Sequence, residues 1–590
     1  MVVKVFACAW MIALTFSSFA NAQTRISVES NVQVSIKNND RAHYEVRITA
    51  DPANPQRLVA CTMVHSSKEN NVHSIVYASS DGGKSWNPTL ETDSEMDPDP
   101  DCTFGLDGAG YFSTINKIYR SEDGGRTWQE PYELPKAIDR PYLTVDRASV
   151  KYRGRIYLHG LGNPFNSFNF LRSLDRGMTF QPRIVRPSDG SPMLLGNGNG
   201  EVFSDGTYVI ISGEVADIKS ANWSAGDRSP FGSIKILRSE DGGENFGSYV
   251  VSPWFKCLGG GIASHIPSIA ADHTEGYFKN RLYAVWIDVR SGHCDVLLSY
   301  STNKGETWSP PKVINDEPSR SSPSRFAEHS MPVVAVNNRG VVGVLWYDRR
   351  NSPDLGWQTR FTASLDGGET FLPSVSVSTA RHSSENTKDF PIWIVSYGGA
   401  NISTRIMLDQ GESLGGDTGG MAADANGVFH PLWVDNRTGI LQLWTTSVSV
   451  VGKVLPNGSE DLATLADVTS RVKFNFTNTK LNTETRILSF DVSLTNTSTV
   501  PLKTPIKFRL TDLSDGSGVA EIVNADNRQT RDGAVWDFSD VIQDGVLKPS
   551  ERSKEKRFEF RLVDLQPFRR VKSGWISDLT NFRGKVFAQE

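Results

Sequence analysis

Residues Ser79–Trp86 read SSDGGKSW, and near copies follow at Ser121–Trp128 (SEDGGRTW), Ser173–Phe180 (SLDRGMTF), Ser239–Phe246 (SEDGGENF), Ser301–Trp308 (STNKGETW) and Ser364–Phe371 (SLDGGETF). In the pattern Ser-x-Asp-x-Gly-x-x-Trp/Phe, the Ser and Asp side chains accept hydrogen bonds from backbone amides in a tight turn. The glycine supplies a positive φ that other residues resist. The aromatic residue three positions later packs back between strands. An alternating stretch precedes each copy, such as SIVYASS before Asp81 or IKILRSE before Asp241, so each copy is a hairpin connection. A catalytic motif is seldom needed six times. Six such turns, 42 to 66 residues apart, predict a repeated β unit.

The rest of each unit is readable on either side of its turn. SHIPSIAAD from Ser264, RLYAVWID, DVLLSYS and TWSPPKVI are four short strands, A to D, and the order returns in HSMPVVAVN, VVGVLWYD, FTASLD and TFLPSVSV. Strand A starts fall near Tyr44, Asp101, Arg140, Glu201, His265, Met331 and Asp417, which gives seven units. The last unit has three strands and no copy of the turn. An N-terminal strand within RISVESNVQVS, from Arg25, is expected to supply the fourth and close a ring. Closure removes the edges that an open array leaves exposed. The expected fold is therefore an all-β, seven-bladed β-propeller, or a six-bladed one if a unit is miscounted.

The termini and composition add further expectations. Lys4, an apolar run from Val5 to Phe16 and the small residues Ala20-Asn21-Ala22 form a cleavable signal over residues 1–22, so the chain is expected to be secreted or periplasmic. No later apolar segment is long enough to span a bilayer. A net charge of -5 over 590 residues, without a long basic run, argues against nucleic acid as a partner. Cys61 and Cys102 fall on neighbouring units, as do Cys257 and Cys294, so two disulfides and four buried thiols are both open readings. After about Val450 the repeat stops. Segments such as ILSFDVSLTN, IKFRLTD and RFEFRLVD then predict an Ig-like β-sandwich, so the domains are residues 23–452 and 453–590, and a monomer is expected.

Strand direction decides where chemistry can sit. If strand A leaves one face, antiparallel strand B returns to it, so the DA and BC loops share a face and the six turns lie on the other. The turns are then staples, and the mouth of the central channel gathers Glu45, Asp99, Asp101, Asp139, Arg140, Glu201, His265, Glu328, His329 and Asp417. Strand B ends carry Trp-x-Asp-x-Arg three times: Trp286-Asp288-Arg290, Trp346-Asp348-Arg350 and Trp433-Asp435-Arg437. Either each Asp holds its own Arg to fix the loop, or some of these arginines clamp an anionic sugar bidentately. Arg140 is the strongest clamp candidate, with Asp139 and Glu201 as further substrate-binding candidates. Asp417, in GGDTGG, and Glu45 are the candidate carboxylates for glycosidic cleavage, and such acids equally suit capping or a structural calcium. His265 and His329 stand at equivalent positions, fit for acid–base work or for zinc with Asp417. Their 64-residue spacing is not a metal-ligand signature, so no cofactor is expected.

The six turns resemble the Asp-box, or BNR, repeat of secreted sialidases, other glycoside hydrolases and sortilin-type receptors, all of them propellers. Over roughly residues 40–450, DRPYLTVD, MPVVAVNNRGVVGVLWYDRR and GDTGGMAADANGVFHPLWVDNR resemble bacterial exported proteins described as sialidase-like. The resemblance implies a glycoside hydrolase of exo-α-sialidase type with an acidic or complex glycan as substrate. That family has an Arg-Ile-Pro motif on its first blade, whose arginine joins two others on the substrate carboxylate, a Tyr and Glu pair as nucleophile, and an Asp as acid. Here Arg47-Ile48 is followed by Thr49, and no Tyr and Glu pair is assignable. A non-catalytic glycan- or protein-binding propeller and a polysaccharide lyase are the alternatives.

Overall fold

The computed structural model describes residues 25–66, 71–93, 97–161, 168–185, 194–215, 232–255, 257, 266–290, 294–317, 329–350, 356–382, 392–397, 400–405, 415–416, 418–514, 520–562, 570–571, 574–575 and 581–589. Six stretches of the first 380 residues each fold into a four-stranded antiparallel sheet whose strands pair in chain order. One runs His329–Val336, Val342–Asp348, Gln358–Ser364, Val375–Ser376. The second strands Leu282–Asp288, Val342–Asp348 and Phe429–Asp435 are buried at every position, which explains their near-continuous apolar and aromatic composition. Each is covered on both faces by neighbouring sheets.

The first strands form a closed circuit. Ala42–Ala50 packs against Asp101–Phe104, then come Asp139–Val145, Leu194–Val202, Ser268–Ala271, His329–Val336 and Gly420–Ala423, and Gly420–Ala423 packs back on Ala42–Ala50. This is a propeller architecture, with first strands lining an axial channel. The last sheet takes its outer strand from the other end of the chain. Val32 and Gln33 pair with Thr445 and Trp444, while Ile26–Val28 pairs with Val448–Val450. A hairpin of Ile392–Tyr397 and Ala400–Arg405, not expected from sequence, precedes that sheet.

The repeated turns work as their residues suggest. In the second copy Gly125 N–H donates to Ser121 Oγ (2.8 Å), and the N–H groups of Arg126 and Thr127 donate to Asp123 Oδ1 (3.0 and 2.9 Å). Gly125 has φ +85°, and a Cβ there would meet Val59 Cγ2 at 2.4 Å. Conformation and close approach to the preceding sheet therefore both select glycine.

The cysteines divide. Cys257 and Cys294 form a disulfide, whereas Cys61 and Cys102 are buried free thiols, so each of the two open readings holds for one pair. Cys102 Sγ donates to the Val59 carbonyl (3.7 Å), and the Cys61 thiol is hydrogen-bonded to Cys102.

From residue 466 onward two antiparallel sheets share one core. One is built on Leu502–Ser514 and Asn581–Gln589, the other on Val472–Asn482, Ile487–Asn496 and Lys556–Leu562. Phe490, Phe508, Trp536, Phe558 and Phe560 fill it, with Trp536 stacked on Phe558 at 4.1 Å. This unit docks on the turn face of the propeller. Arg509, 3% exposed, enters the sixth turn between Asp366 and Glu369, and Lys585 reaches Glu369 at 2.5 Å.

Candidate functional site

The opposite face carries an unusual backbone feature. Strand pairing slips at Tyr44/Val46, Asp139/Tyr142 and Ser330/Val333, and the extra residues Glu45, Arg140 and Met331 have φ of +49°, +53° and +50°. Asp99, just before its own strand, has φ +55°. A left-handed conformation in a non-glycine residue costs roughly 1–2 kcal/mol, and glycine would avoid it. Proline follows three of these residues, at Pro100, Pro141 and Pro332, where a bulge needs no ladder N–H. Strain repeated at one level of the circuit, with side chains retained, points to a site that uses them.

Those side chains border two small adjoining pockets. Glu45, Asp99, Asp101 and Arg140 line the first, Asn199, Ser268 and Met331 the second, and Arg47, Tyr142 and Thr418 belong to both. Glu45 is held by a close wrap. Its N–H donates to Gly415 O (2.7 Å), and a Cβ on Gly416 would lie 2.3 Å from its Cγ, which accounts for the glycine pair in GGDTGG.

The charges are arranged in two groups. Arg47 Nε lies 3.7 Å from Asp101 Oδ1, its Cζ sits 4.3 Å over the Tyr142 ring, and Nη1 donates to Gly419 O at 3.4 Å. Burial pushes the Asp101 carboxyl up to about 6, against the pull of Arg47. Asp139 is raised further, to about 7, chiefly by burial; Arg140 opposes the rise, and the hydrogen-bonded carboxyl of Asp99 reinforces it. Asp99 Oδ2 in turn accepts the Arg140 N–H at 3.2 Å. Asp139 thus keeps its proton up to near neutral pH, with the Asp99 carboxyl hydrogen-bonded beside it. Thr418 Oγ1 and Asn197 Oδ1 are buried there without a hydrogen-bond partner among the described residues, as befits positions where water or ligand completes the set.

Of the residues singled out from sequence, Glu45, Asp139 and Arg140 come together at this mouth. Asp417, His265 and Glu328 lie outside the described residues. Glu201 is one residue from the far end of its strand, Leu194–Val202, and takes a hydrogen bond from His273 Nε2 at 3.1 Å. The start of that strand is thus seven residues earlier than its composition suggested. His329 is 1% exposed, with Nδ1 2.5 Å from Cys294 O and Nε2 facing Glu317 and Asp348.

The Trp-x-Asp-x-Arg copies are local. Asp288, Asp348 and Asp435 each hold their own arginine, with Nη2 of Arg290, Arg350 and Arg437 at 2.6, 2.8 and 2.5 Å. Each Asp also accepts the indole N–H of its own tryptophan, at 3.3, 2.9 and 3.0 Å. The remaining guanidinium donors stitch adjacent segments: Arg290 to Pro253 O, Arg350 to Asp316 and Arg437 to Thr379.

Arg47 and Tyr142 were not singled out as site residues, and the signal that marks them lies in the backbone. Both stand two residues after a left-handed position, as Asp101 does after Asp99, so they share a strand face with it.

No family model matches the chain, and no curated protein matches it by sequence. Solved structures similar to it include a protein of unknown function from Dyadobacter fermentans, 12% identical with a TM-score of 0.41, covering 72% of this chain and 100% of that one. The Penicillium chrysogenum α-L-arabinanase complexed with arabinobiose is 12% identical with a TM-score of 0.37, covering 73% and 100%. A Hadza microbial sialidase, Hz136, is 15% identical with a TM-score of 0.34, covering 70% and 66%. Likeness at this level decides neither activity nor substrate.

Proposed function

We propose that the chain is a secreted seven-bladed propeller over residues 23–452, with an Ig-like accessory sandwich over 453–590, that hydrolyses an acidic or complex glycan at its channel mouth. The observation that carries this reading is Asp139, its carboxyl raised by burial and hydrogen-bonded to Asp99, which lines the first pocket together with Arg140 and Arg47. In its protonated form Asp139 is suited to give a proton to a glycosidic oxygen, while a second carboxylate on the mouth stabilises the developing cation or activates water. Glu45 is one candidate for that second carboxylate. Asp417 is the other, since its chain neighbours Gly416 and Thr418 border Glu45 and the pockets. Arg140 and Arg47 are suited to a substrate carboxylate.

The test is a screen of the purified mature protein against sialosides and uronic-acid glycans. Asp139→Asn is expected to lower kcat by about 10²- to 10⁴-fold, the usual contribution of a positioned acid, and Arg140→Ala to raise KM. Turnover unaffected by Asp139→Asn would remove that residue from the mechanism. A binding propeller is the second reading, favoured by the three arginines committed to their own aspartates. Retention of a glycan without turnover, lost in Arg140→Ala, would support it.

A further inference from the structure

A second cluster lies where the fifth and sixth sheets meet, outside the pockets at the mouth. His329 Nε2, a Glu317 carboxylate oxygen and an Asp348 carboxylate oxygen lie within 4.8 Å of one another. The three residues come from different places: the connection after Lys312–Val313, the start of His329–Val336 and the end of Val342–Asp348. His329 and Asp348 are 1% and 0% exposed.

The imidazole is oriented by its other nitrogen. Nδ1 lies 2.5 Å from the carbonyl oxygen of Cys294, which can only accept, so Nδ1 carries a hydrogen. Cys294 is itself anchored by its disulfide to Cys257. Nε2 is therefore turned towards two ionisable carboxyl groups, and when those are charged neither has a hydrogen to offer it. A positive species must stand between them, either a proton on Nε2 or a metal ion. A histidine whose far N–H is fixed by a backbone carbonyl is the usual outer-shell arrangement of a metal ligand.

The spacing agrees. His329 Nε2 and Asp348 Oδ2 are 3.5 Å apart, long for a charge-assisted hydrogen bond. Bonds of about 2.1 Å to a tetrahedral zinc place neighbouring ligand atoms about 3.4 Å apart. The surrounding charges are Asp316 and Arg350, which pair at 3.0 Å, with Arg350 also on Asp348, and Arg360, hydrogen-bonded to Ser374. Arg350 also lies 3.5 Å from Glu317, and among these described residues three carboxylates face two guanidiniums, which leaves one negative charge for a proton on Nε2 or a metal ion to meet.

We propose that Glu317, His329 and Asp348 form a divalent transition-metal site, of the ligand chemistry that suits zinc, which ties the fifth and sixth sheets together. One nitrogen and two oxygens place it among zinc-type sites rather than all-oxygen calcium sites. Its work is mechanical, since it pins a strand start, a strand end and the connection between sheets at one point.

The experiment uses the full chain after chelator treatment and dialysis. Added zinc is expected to be retained at one ion per chain by elemental analysis and to raise the thermal midpoint. Cobalt is expected to give visible ligand-field absorption, a readout that needs no variant. His329→Ala and Glu317→Gln, the latter nearly isosteric and chosen in case the former misfolds, are each expected to lose the retained ion. The proposal is overturned if the stripped wild-type chain takes up neither zinc nor cobalt and its midpoint stays where it was. It is equally overturned if a folded His329→Ala protein keeps the full complement of metal.

Discussion

Asp139 shows how one side chain ties the proposed catalysis to stability. An ordinary unfolded aspartate ionises near 3.8, whereas this one, buried and hydrogen-bonded to Asp99, holds its proton up to about 7. Between those values the folded chain binds more protons than the unfolded one, so this group's contribution to stability falls as pH rises from about 4 to 7. Asp139→Asn, which carries no charge, is expected to remove that slope. Denaturant unfolding of both proteins at pH 5 and pH 8 checks it, and the variant's advantage should be larger at pH 8. The same residue marks what could be read from sequence. Its place at a strand start was legible, because alternation and turn spacing located this start, expected near Arg140, to within one residue. The pairing with Asp99, 40 positions earlier, was not, because it depends on how two bulges face each other across neighbouring sheets. Likewise, Trp-x-Asp-x-Arg indicated that Asp and Arg belong together, while only coordinates could say that each pair closes on itself.

At the level of the strand and its turn, two features oppose each other. The turns are locally determined, since Ser, Asp and Gly of one short segment satisfy one another, and sequence alone placed them. Asp123→Ala deletes the acceptor for two backbone N–H groups and for Thr127 Oγ1, and should destabilise the protein by about 1–2 kcal/mol. Any turnover at the channel mouth should be unaffected, and parallel melting and activity assays separate the two effects. The bulges are the reverse case. Arg140→Gly relieves a left-handed strain and is expected to raise stability by up to about 1 kcal/mol, while abolishing whatever the guanidinium binds. Urea midpoints beside glycan titration test that pairing of gain and loss. Bulges were poorly legible because these first strands are buried on both faces, so a one-residue change of face leaves little mark on their apolar pattern. The fourth sheet shows the consequence: Leu194–Val202 begins well before the residue that composition suggested.

For the molecule as a whole, the join between propeller and sandwich rests on buried charge. Arg509 lies between Asp366 and Glu369, which are 2% and 9% exposed, and Asp366 is held below the usual carboxylate range despite its burial, with Arg509 the largest favourable influence. Removing one partner of such a cluster costs about 3–5 kcal/mol, because the others stay buried and uncompensated. Arg509→Met is expected to split the calorimetric transition in two as the sandwich uncouples; a single unshifted transition would contradict it. This join had no signature in sequence, since Arg509 sits in an ordinary alternating strand and its partner turn resembles the other five. The circuit itself was legible, down to the N-terminal segment that completes the last sheet. That segment, Val32–Gln33, meets Trp444 and Thr445 only after about 410 further residues have been made. Until then the molecule is an unlatched band, and deleting Val32–Gln33 would leave it without a clasp and its last sheet open to strand exchange with another copy.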